Sequence, residues 1–372
     1  MTRREWLACT AAAGLLKAAP AAPTAPVSIA KCNSYDGDLA ATLSTMYDQL
    51  GGLDRIVRNK TVTIKLNLTG SPGLRLQGKP LGVTHYTHPK LVFAMARVLN
   101  KAGARRIRFV ESAWASGGPL EEYMLDAGWN ARALLNLVPG VEMENTNNLG
   151  KGKKYSRFKV PGGGYLYPAY DLNHAFEDTD VFMSMAKLKN HETCGVTLSL
   201  KNCFGNSPAS IYGDDAKVDE PNESPASGRG AVFHAGKRGP SKSAPQELDP
   251  TTSRHAGYRV PRIVADLVAA RPVDITLIDG IESVRGGEGP WIKGISVVQP
   301  GVLIAGTNPV TTDAVGTAVM GYDPQATRGT KPFVTCDNTL LLAEGHGIGT
   351  TDLKRIEVRG VPIAQALYRF EV

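Results

Sequence analysis

The segment VFMSMAKLKNHETCGVTLSLKNCFGN, residues 181–206, predicts a strand, a polar loop and a helix in succession. Its first part is an apolar run with the length of a buried strand, too short for a membrane helix. Strand alternation points Lys187 and Lys189 to one face at the carboxyl end. Residues 190–193 form the polar loop, and apolar residues then recur at helical spacing through Phe204, with Gly205 as a left-handed cap. Open α/β sheets bind ligands at this edge, and a helix N-terminus favours an anion.

Other polar side chains of the same segment extend the predicted site. His191 lies in the loop, and Thr197 and Lys201 lie four residues apart, so they share one face of the predicted helix. Asn202 follows directly. A second interpretation stays open, because residues 197–201 also alternate as a hairpin strand would, and lysines at element ends are often simply solvated.

Composition and charge narrow the class of protein. The chain has 372 residues, of which 42% are hydrophobic and 21% charged, as is typical of globular proteins with a substantial core. The net charge of +7 weakly favours acidic ligands. Since no stretch interleaves aromatic and basic residues in a known nucleic-acid-binding pattern, we expect no nucleic-acid partner.

The N-terminus predicts export. Thr2-Arg3-Arg4-Glu5-Trp6-Leu7 resembles a twin-arginine motif, and a short apolar run and an Ala/Pro-rich stretch follow it. We therefore predict a signal peptide and linker at residues 1–26, cleavage near Ala21 or Ala22, and recognition by the twin-arginine export machinery. The protein would then be periplasmic or otherwise exported, with no membrane span in the mature chain. A disordered basic tail is the alternative interpretation.

Residues 27–372 predict a single α/β domain. The strand at 61–67, the helix that begins at His88-Pro89 and the strand at 106–111 make a βαβ unit with short connections, which requires parallel strands. Later strand and helix patterns predict a mostly parallel sheet flanked by helices. Residues 206–258 form a long polar insertion without a sustained period, which we interpret as a lid next to the site, with a disordered segment as the alternative.

Polar side chains collect where the predicted strands end. Besides Lys187 and Lys189 of segment 181–206, the predicted strand ends carry Lys65, Asn67, Glu111 and Asp279. The carboxyl ends of parallel strands lie at one edge of the sheet. We predict a mixed-charge cleft with catalytic residues Glu111, Asp279 and His191. The predicted ligand-binding residues are Lys65, Asn67, His88, Lys187, Lys189, Thr197, Lys201 and Asn202.

Several known catalytic motifs are missing from the sequence. It contains no GxSxG nucleophile elbow, no GxxxxGK[ST] phosphate loop and no GxGxxG dinucleotide fingerprint. His85 and His88 are three residues apart but have no third ligand at metal-site spacing, so we predict no metal site. The five cysteines show no CxxC pair, so the cysteine spacing does not support an iron–sulfur cluster, and the cofactor stays unknown.

Motifs spread over residues 60–360 resemble the domain-of-unknown-function 362 family. They are IKLN at 64–67, THPKLV at 87–92, AGA at 102–104, KLKNH at 187–191, LKNCFG at 200–205, IDG at 278–280, GP at 289–290, AG at 305–306 and DAV at 313–315. Many members of that family are described as iron–sulfur proteins with a ferredoxin-like cysteine segment. This chain lacks such a segment, so the resemblance implies no cluster here, and it brings no reaction.

Two classes of function fit the predicted cleft. The first is an exported enzyme that acts on an anionic small molecule or cofactor, since acids, bases and a lid are combined. The second is a non-catalytic periplasmic binding protein for an anionic ligand, which needs the lysines but not Glu111 and Asp279. A metal-dependent enzyme that uses His88 and His191 is a third possibility. The substrate and the reaction do not follow from the sequence.

Overall fold

The computed structural model describes residues 21–371. The predicted twin-arginine motif, with Arg3 and Arg4, lies outside the described residues.

An eight-stranded sheet forms the centre of the molecule, in the order β14-β1-β13-β10-β7-β2-β3-β4. Its strands are β1 Val27–Lys31, β2 Thr61–Lys65, β3 Arg106–Glu111, β4 Val141–Asn145, β7 Val181–Lys187, β10 Ile275–Gly280, β13 Val302–Gly306 and β14 Val358–Gly360. Only β13 runs opposite to the others, because it pairs antiparallel with both β1 and β10. The remaining neighbours pair in parallel. The predicted α/β class with a mostly parallel sheet is confirmed.

Helices cover both faces of the sheet and bury two apolar cores. The longer helices are α1 Leu39–Gln49, α3 Pro89–Lys101, α8 Ala256–Ala270 and α9 Pro309–Val319. The shorter ones are α2 Asp54–Val57, α4 Leu120–Asp126, α5 Ala131–Leu135, α6 Leu198–Asn202, α7 Ala209–Tyr212, α10 Thr339–Gly345 and α11 Ile363–Ala366. Helix α3 begins as predicted, with Pro89 in its first turn and the His88 ring accepting a hydrogen bond from Lys90 N.

Short strands and turns complete the described chain. Three hairpins pair β5 Ser156–Lys159 with β6 Ala169–Leu172, β8 Asn190–His191 with β9 Gly195–Val196, and β11 Ser283–Arg285 with β12 Ser296–Val298. Tight 3₁₀ turns occur at Leu81–Val83, His174–Phe176, Cys203–Asn206 and Leu353–Arg355, and a π turn at Gly230–His234. No helix among residues 21–371 combines the length and the apolar character needed to cross a bilayer.

The strand that begins at Thr61 is the second of the chain, and sequence reasoning missed the strand before it. The preceding strand Val27–Lys31 pairs with Val302–Gly306 on one side and Val358–Gly360 on the other. Its five residues carry little pattern of their own, and both of its partners lie more than 270 positions away. Non-local pairing of this kind leaves no local signal in the sequence.

The segment at residues 181–206 differs from its predicted structure after the strand. The expected loop at residues 190–193 belongs to the hairpin of β8 and β9, which turns at Gly195 in the left-handed region (φ +72°). The helix begins only at Leu198 and lasts five residues. Gly205 does not adopt a positive φ, so its predicted role as a left-handed cap is wrong.

A buried carboxylate closes the start of helix α6. Asp313 accepts hydrogen bonds from the backbone N–H groups of Ser199 (2.8 Å) and Leu200 (2.7 Å). The acceptor at the start of this helix is therefore supplied by the protein itself, and these N–H groups are not free for a ligand.

The polar insertion at 206–258 folds against the body of the protein. Regular structure within it is limited to α7, the π turn at 230–234 and the start of α8. Arg229 anchors the segment, since its Nε donates to Ser207 O at 3.0 Å and its Nη2 to Asn147 Oδ1 at 3.0 Å. The insertion thus brings side chains from distant sequence to the carboxyl edge of the sheet.

Candidate functional site

The predicted strand-end residues do meet at one edge of the sheet. β2, β3, β7 and β10 are neighbours that run in the same direction, so Lys65, Glu111, Lys187 and Asp279 share their carboxyl edge. Asp279 stands directly opposite Lys187 in the register. The side chains nevertheless divide into two groups, one closed inside the protein and one open to a cleft.

The first group, here called the closed network, consists of Tyr35, Lys187, Asp279 and the residues that contact them. Lys187 Nζ donates to Asp279 Oδ2 at 3.0 Å, to Tyr35 Oη at 3.0 Å and to Gly82 O at 2.7 Å. Tyr35 Oη donates to Asp279 Oδ1 at 2.7 Å, and His88 N donates to Asp279 Oδ2 at 3.1 Å. The His88 ring stacks on Tyr35 at 3.6 Å between centroids.

Every donor of the Lys187 ammonium therefore has an acceptor within the protein. Lys187 and Asp279 are completely buried. Burial lowers the pKa of Lys187, and the Asp279 carboxylate opposes that shift. Burial also lowers the pKa of His88 to about 4, which keeps the ring neutral at pH 7. None of these three residues lines the open cleft, while Tyr35 borders a separate cavity of about 400 Å³. The predicted catalytic and binding roles of Lys187, Asp279 and His88 therefore stay predictions.

The second group surrounds an open cleft of about 600 Å³, here called the cleft. It lies where β2, β3, the β8–β9 hairpin, α6, the insertion and the loop between β11 and β12 converge. Its polar lining comprises Lys65, Asn67, Thr69, Glu111, Ser112, His191, Thr197, Lys201, Asn202, Asp214, Arg229, His234 and Glu288. The volume falls within the range usual for small-molecule sites.

An ion pair forms the floor of the cleft. Lys65 Nζ lies 2.5 Å from Glu111 Oε1, and both side chains are at least 95% buried. Glu111 also accepts hydrogen bonds from Leu68 N (2.8 Å) and Ser112 N (3.0 Å). Gly205 packs directly on this pair, because a Cβ there would lie 2.7 Å from Lys65 Cε and 3.0 Å from Glu111 Oε1. The close approach of Lys65 and Glu111, rather than a positive φ, thus explains why residue 205 is a glycine.

Two asparagines hold the floor in position. Asn202 Oδ1 accepts hydrogen bonds from Lys65 Nζ (3.3 Å) and Asn67 Nδ2 (3.2 Å). Asn202 Nδ2 donates to Ser184 Oγ at 3.0 Å, which ties helix α6 to strand β7. Thr197 Oγ1 donates only a long bond of 3.5 Å to Asn190 O. The asparagines therefore orient Lys65 towards Glu111, while Thr197 retains a hydroxyl at the cleft wall.

Two cations of the cleft lack a carboxylate partner among the described residues. Lys201 Nζ makes no hydrogen bond or ion pair with any described residue, and it lies 4.2 Å from the centroid of the Phe204 ring. Arg229 is bonded only to neutral oxygens, and its Nη1 has no described partner. Burial lowers the pKa of Arg229 to about 10, so it stays charged at pH 7. An anion in the cleft would meet both groups.

His191 is neutral and offers an N–H to the cleft. Burial lowers the pKa of His191 to about 3. Its Nδ1 accepts a hydrogen bond from Thr193 N at 3.2 Å, so the ring proton resides on Nε2. His234, whose pKa burial lowers to about 4, is a second neutral ring in the lining.

Glu288 holds in place the part of the cleft lining that contains His191. It accepts hydrogen bonds from Glu192 N (3.0 Å) and from Trp291 Nε1 (3.1 Å). Burial by itself raises the pKa of Glu288, but the nearby His191 and these two N–H groups hold it well below its usual value. The carboxylate is therefore ionised, and it positions the hairpin and the indole ring of Trp291.

Lys189 belongs to neither group. It is completely buried, and its Nζ makes one described hydrogen bond, to His85 O at 2.7 Å. Burial lowers the pKa of Lys189 far below its usual value. It does not line the cleft, so its predicted contact with a ligand finds no open path beside it.

Seven predicted site residues line the cleft together: Lys65, Asn67, Glu111, His191, Thr197, Lys201 and Asn202. Sequence reasoning missed Trp114, Arg229, His234, Glu288 and Trp291. Arg229 and His234 lie in the insertion, and Glu288 lies in the loop between β11 and β12. The insertion was interpreted as a lid, but nothing in the sequence indicated which side chains of either segment turn inward.

No group of three or more His, Cys, Asp or Glu side chains within residues 21–371 is arranged to hold a metal ion. His88 belongs to the closed network and His191 to the cleft. The described cysteines, Cys32, Cys194, Cys203 and Cys336, form no disulfide with one another.

Comparisons with known proteins find a curated relative and solved structures, one of them from Thermotoga maritima. A thylakoid-associated protein of Synechocystis sp. is 27% identical over 192 residues, which cover 50% of this chain and 51% of the relative. The chain therefore spans about half the length of that relative. A crystal structure of a Thermotoga maritima protein covers 73% of this chain and 56% of its own at 11% identity, with a TM-score of 0.32 that is too low to support an argument.

The family model described as Domain of unknown function (DUF362) matches residues 62–318. This range begins in β2 and ends in α9, so it contains β2, β3, β7 and β10 together with the closed network's Lys187 and Asp279 and most of the cleft. The chain belongs to the DUF362 family.

Proposed function

We propose that the cleft binds an anionic small molecule and that the protein is an exported enzyme acting on it. One observation carries this proposal: Lys201 and Arg229 line the cleft without a carboxylate partner among the described residues. The three carboxylates of the lining already accept hydrogen bonds within the protein: Glu111 from Lys65, Glu288 from two N–H groups, and Asp214 from Gly230 N and Ala231 N. Arg229 is buried and Lys201 is half-buried. Poorly hydrated cations without a counter-charge are unfavourable, so an anionic ligand would stabilise them.

Groups that can transfer a proton or polarise a bond of the ligand lie beside these cations. Their presence supports an enzyme over a binding protein. Glu111 and Lys65 form a buried acid–base pair at the floor. His191, neutral with its proton on Nε2, can donate a hydrogen bond to a carbonyl or phosphoryl oxygen without carrying a charge. A protein that only binds an anion needs neither feature.

The anion site is tested by removing the Lys201 charge while its length is kept. Lys201→Met should weaken binding of methyl phosphate about tenfold or more, because a charge-assisted hydrogen bond contributes about 1.5–3 kcal/mol. Titration calorimetry measures the affinity. Lys151→Met is the matched control, since Lys151 is 65% exposed and lies outside the cleft. Equal affinities of wild type and Lys201→Met would contradict the proposal.

Enzyme and binding protein are separated by Glu111→Gln. Wild type and variant are incubated with a mixture of anionic metabolites, and NMR follows the loss of any one of them. Depletion by wild type alone, with methyl phosphate still bound by the variant, supports catalysis. Stable signals in every sample, with binding intact, support the binding protein instead.

Export is the second part of the proposal. The arginine pair Arg3-Arg4 is its support. Changing Arg3 and Arg4 to Lys should retain the protein in the cytoplasm, as cell fractionation would measure. Unchanged export of the double variant would show that the pair is not the signal.

A further inference from the structure

Exposed apolar side chains cluster at the rim of the cleft. Among the described residues, nine large hydrophobic side chains are exposed, and three of them line this one cleft. They are Leu74 (44% exposed), Trp114 (46%) and Trp291 (43%). Leaving two indoles in water is unfavourable, and such a grouping marks a contact surface.

Trp291 is held in one position rather than left mobile. Its Nε1 donates to Glu288 Oε1 at 3.1 Å. The ring lies against the backbone at Gly70 and Gly289, where a Cβ at either position would collide with its six-membered ring. Two glycines and one carboxylate thus pre-position the indole, which reduces the entropy lost when a ligand contacts it.

Trp114 belongs to the wall formed with the insertion. Its Nε1 lies 3.4 Å from the position of a Cβ on Gly228, the residue before Arg229. An indole and a guanidinium without a carboxylate partner are therefore adjacent in this wall. Below them, Phe204 carries Lys201 over its ring and has Arg229 6.0 Å from its centroid. The cleft is apolar and aromatic at the rim and cationic beneath.

We infer that the ligand is a planar aromatic anion, with its acidic group at Lys201 and Arg229 and its ring system against Trp291 and Trp114. This inference rests on the proposed anion site and adds the chemical class of the rest of the molecule. Flat indole faces favour stacking of a ring over contact with a flexible chain. A cleft of about 600 Å³ accommodates a bicyclic or tricyclic ring with one acidic substituent.

The test uses three probes: 1-naphthyl phosphate, methyl phosphate and 1-naphthol. Wild type should bind 1-naphthyl phosphate at least tenfold more tightly than either methyl phosphate or 1-naphthol. Trp291→Ala should weaken binding of 1-naphthyl phosphate about tenfold, since stacking on an aromatic side chain contributes about 1–3 kcal/mol and 1.4 kcal/mol is a factor of ten. The same variant should leave methyl phosphate binding unchanged, and Trp291→Phe should retain most of the affinity.

Controls separate this inference from the anion site itself. Leu125→Ala removes another exposed apolar side chain, 58% exposed and outside the cleft, and should change nothing. If both phosphates bind equally and need Lys201, the aromatic inference is overturned while the anion site stands. If 1-naphthol binds as tightly as its phosphate, or if neither phosphate binds at millimolar concentration, the anion site fails and the inference fails with it. Thermal melts of each variant establish that it is folded.

Discussion

The closed network and the cleft each place lysines at the carboxyl edge of the same sheet, yet they differ in what surrounds the ammonium group. Lys187 has three acceptors within 3.0 Å and no solvent contact. Lys201 has none among the described residues and faces a cleft. Lys187 in the closed network and Lys65 at the floor of the cleft both lie at the end of a strand, so this position alone does not identify a binding site. The supply of internal acceptors distinguishes a structural lysine from one that is available to a ligand.

The largest expected effect comes from breaking the closed network. Lys187→Ala leaves the Asp279 carboxylate buried without a counter-charge, which typically destabilises a protein by about 3–5 kcal/mol. Urea unfolding measures the loss. The double variant Lys187→Met/Asp279→Leu should recover part of the stability, because no unpaired charge remains.

The exposed pair of Lys90 and Asp36 provides the matched control, with side chains 57% and 79% exposed. Lys90→Ala should change stability little. If Lys187→Ala is as stable as wild type but no longer binds methyl phosphate, Lys187 is a ligand contact as the sequence suggested, and the distinction between the two regions is lost.

A smaller effect is expected at the floor of the cleft. In Gly205→Ala, the added methyl group meets Lys65 Cε at 2.7 Å and Glu111 Oε1 at 3.0 Å, so the pair must move. Overpacking of this kind destabilises by about 1–3 kcal/mol. Because the Lys65–Glu111 pair faces the cleft, the variant should also alter affinity for 1-naphthyl phosphate, which a change in the closed network should not do.

Gly37→Ala is the control for this substitution. Gly37 is exposed, has no atom within 4 Å of an added Cβ and does not adopt a positive φ. It should leave both stability and affinity at wild-type values. An unchanged Gly205→Ala protein would mean that the floor is more adaptable than the contacts indicate.

Local patterns in the sequence were sufficient for the sheet and for the floor of the cleft. The runs that end in Lys65, Glu111 and Lys187 predict buried parallel strands, and parallel strands bring their ends to one edge. The same reasoning missed Val27–Lys31, whose pairing partners are both distant in sequence. It also predicted a longer helix after Gly195, whereas α6 begins at Leu198 and ends at Asn202.

The division between closed network and cleft was not predictable from these patterns. It depends on Tyr35 and on the Gly82 carbonyl, which approach Lys187 from separate parts of the chain. It depends equally on Arg229, which reaches the cleft from the insertion, just before the π turn at Gly230–His234. Side-chain acceptors contributed by loops have no periodicity, so only the folded arrangement reveals which lysine is satisfied.

The smallest expected effect is on the loss of stability at low pH, to which His191 contributes. His191 has a folded-state pKa of about 3, below its value of about 6.5 in an unfolded chain. Between these pH values the unfolded state binds a proton that the folded state does not, so stability is complete above pH 6.5 and falls as the pH falls. The groups whose charges act on the ring are Glu288, Lys189, Lys201 and His234.

His191→Asn should remove about 1 kcal/mol of the stability lost between pH 7.5 and pH 5.5, because the amide does not titrate and its oxygen can replace Nδ1 as the acceptor for Thr193 N. Unfolding curves at the two pH values measure the difference. His255→Asn, at an exposed position, is the matched control. Binding of 1-naphthyl phosphate should reduce the acid sensitivity of wild type, since a bound anion stabilises protonated His191, and it should not do so in His191→Asn. An equal ligand effect in both proteins would place the anion away from His191, and the cleft would then resemble the closed network in having no ligand beside its histidine.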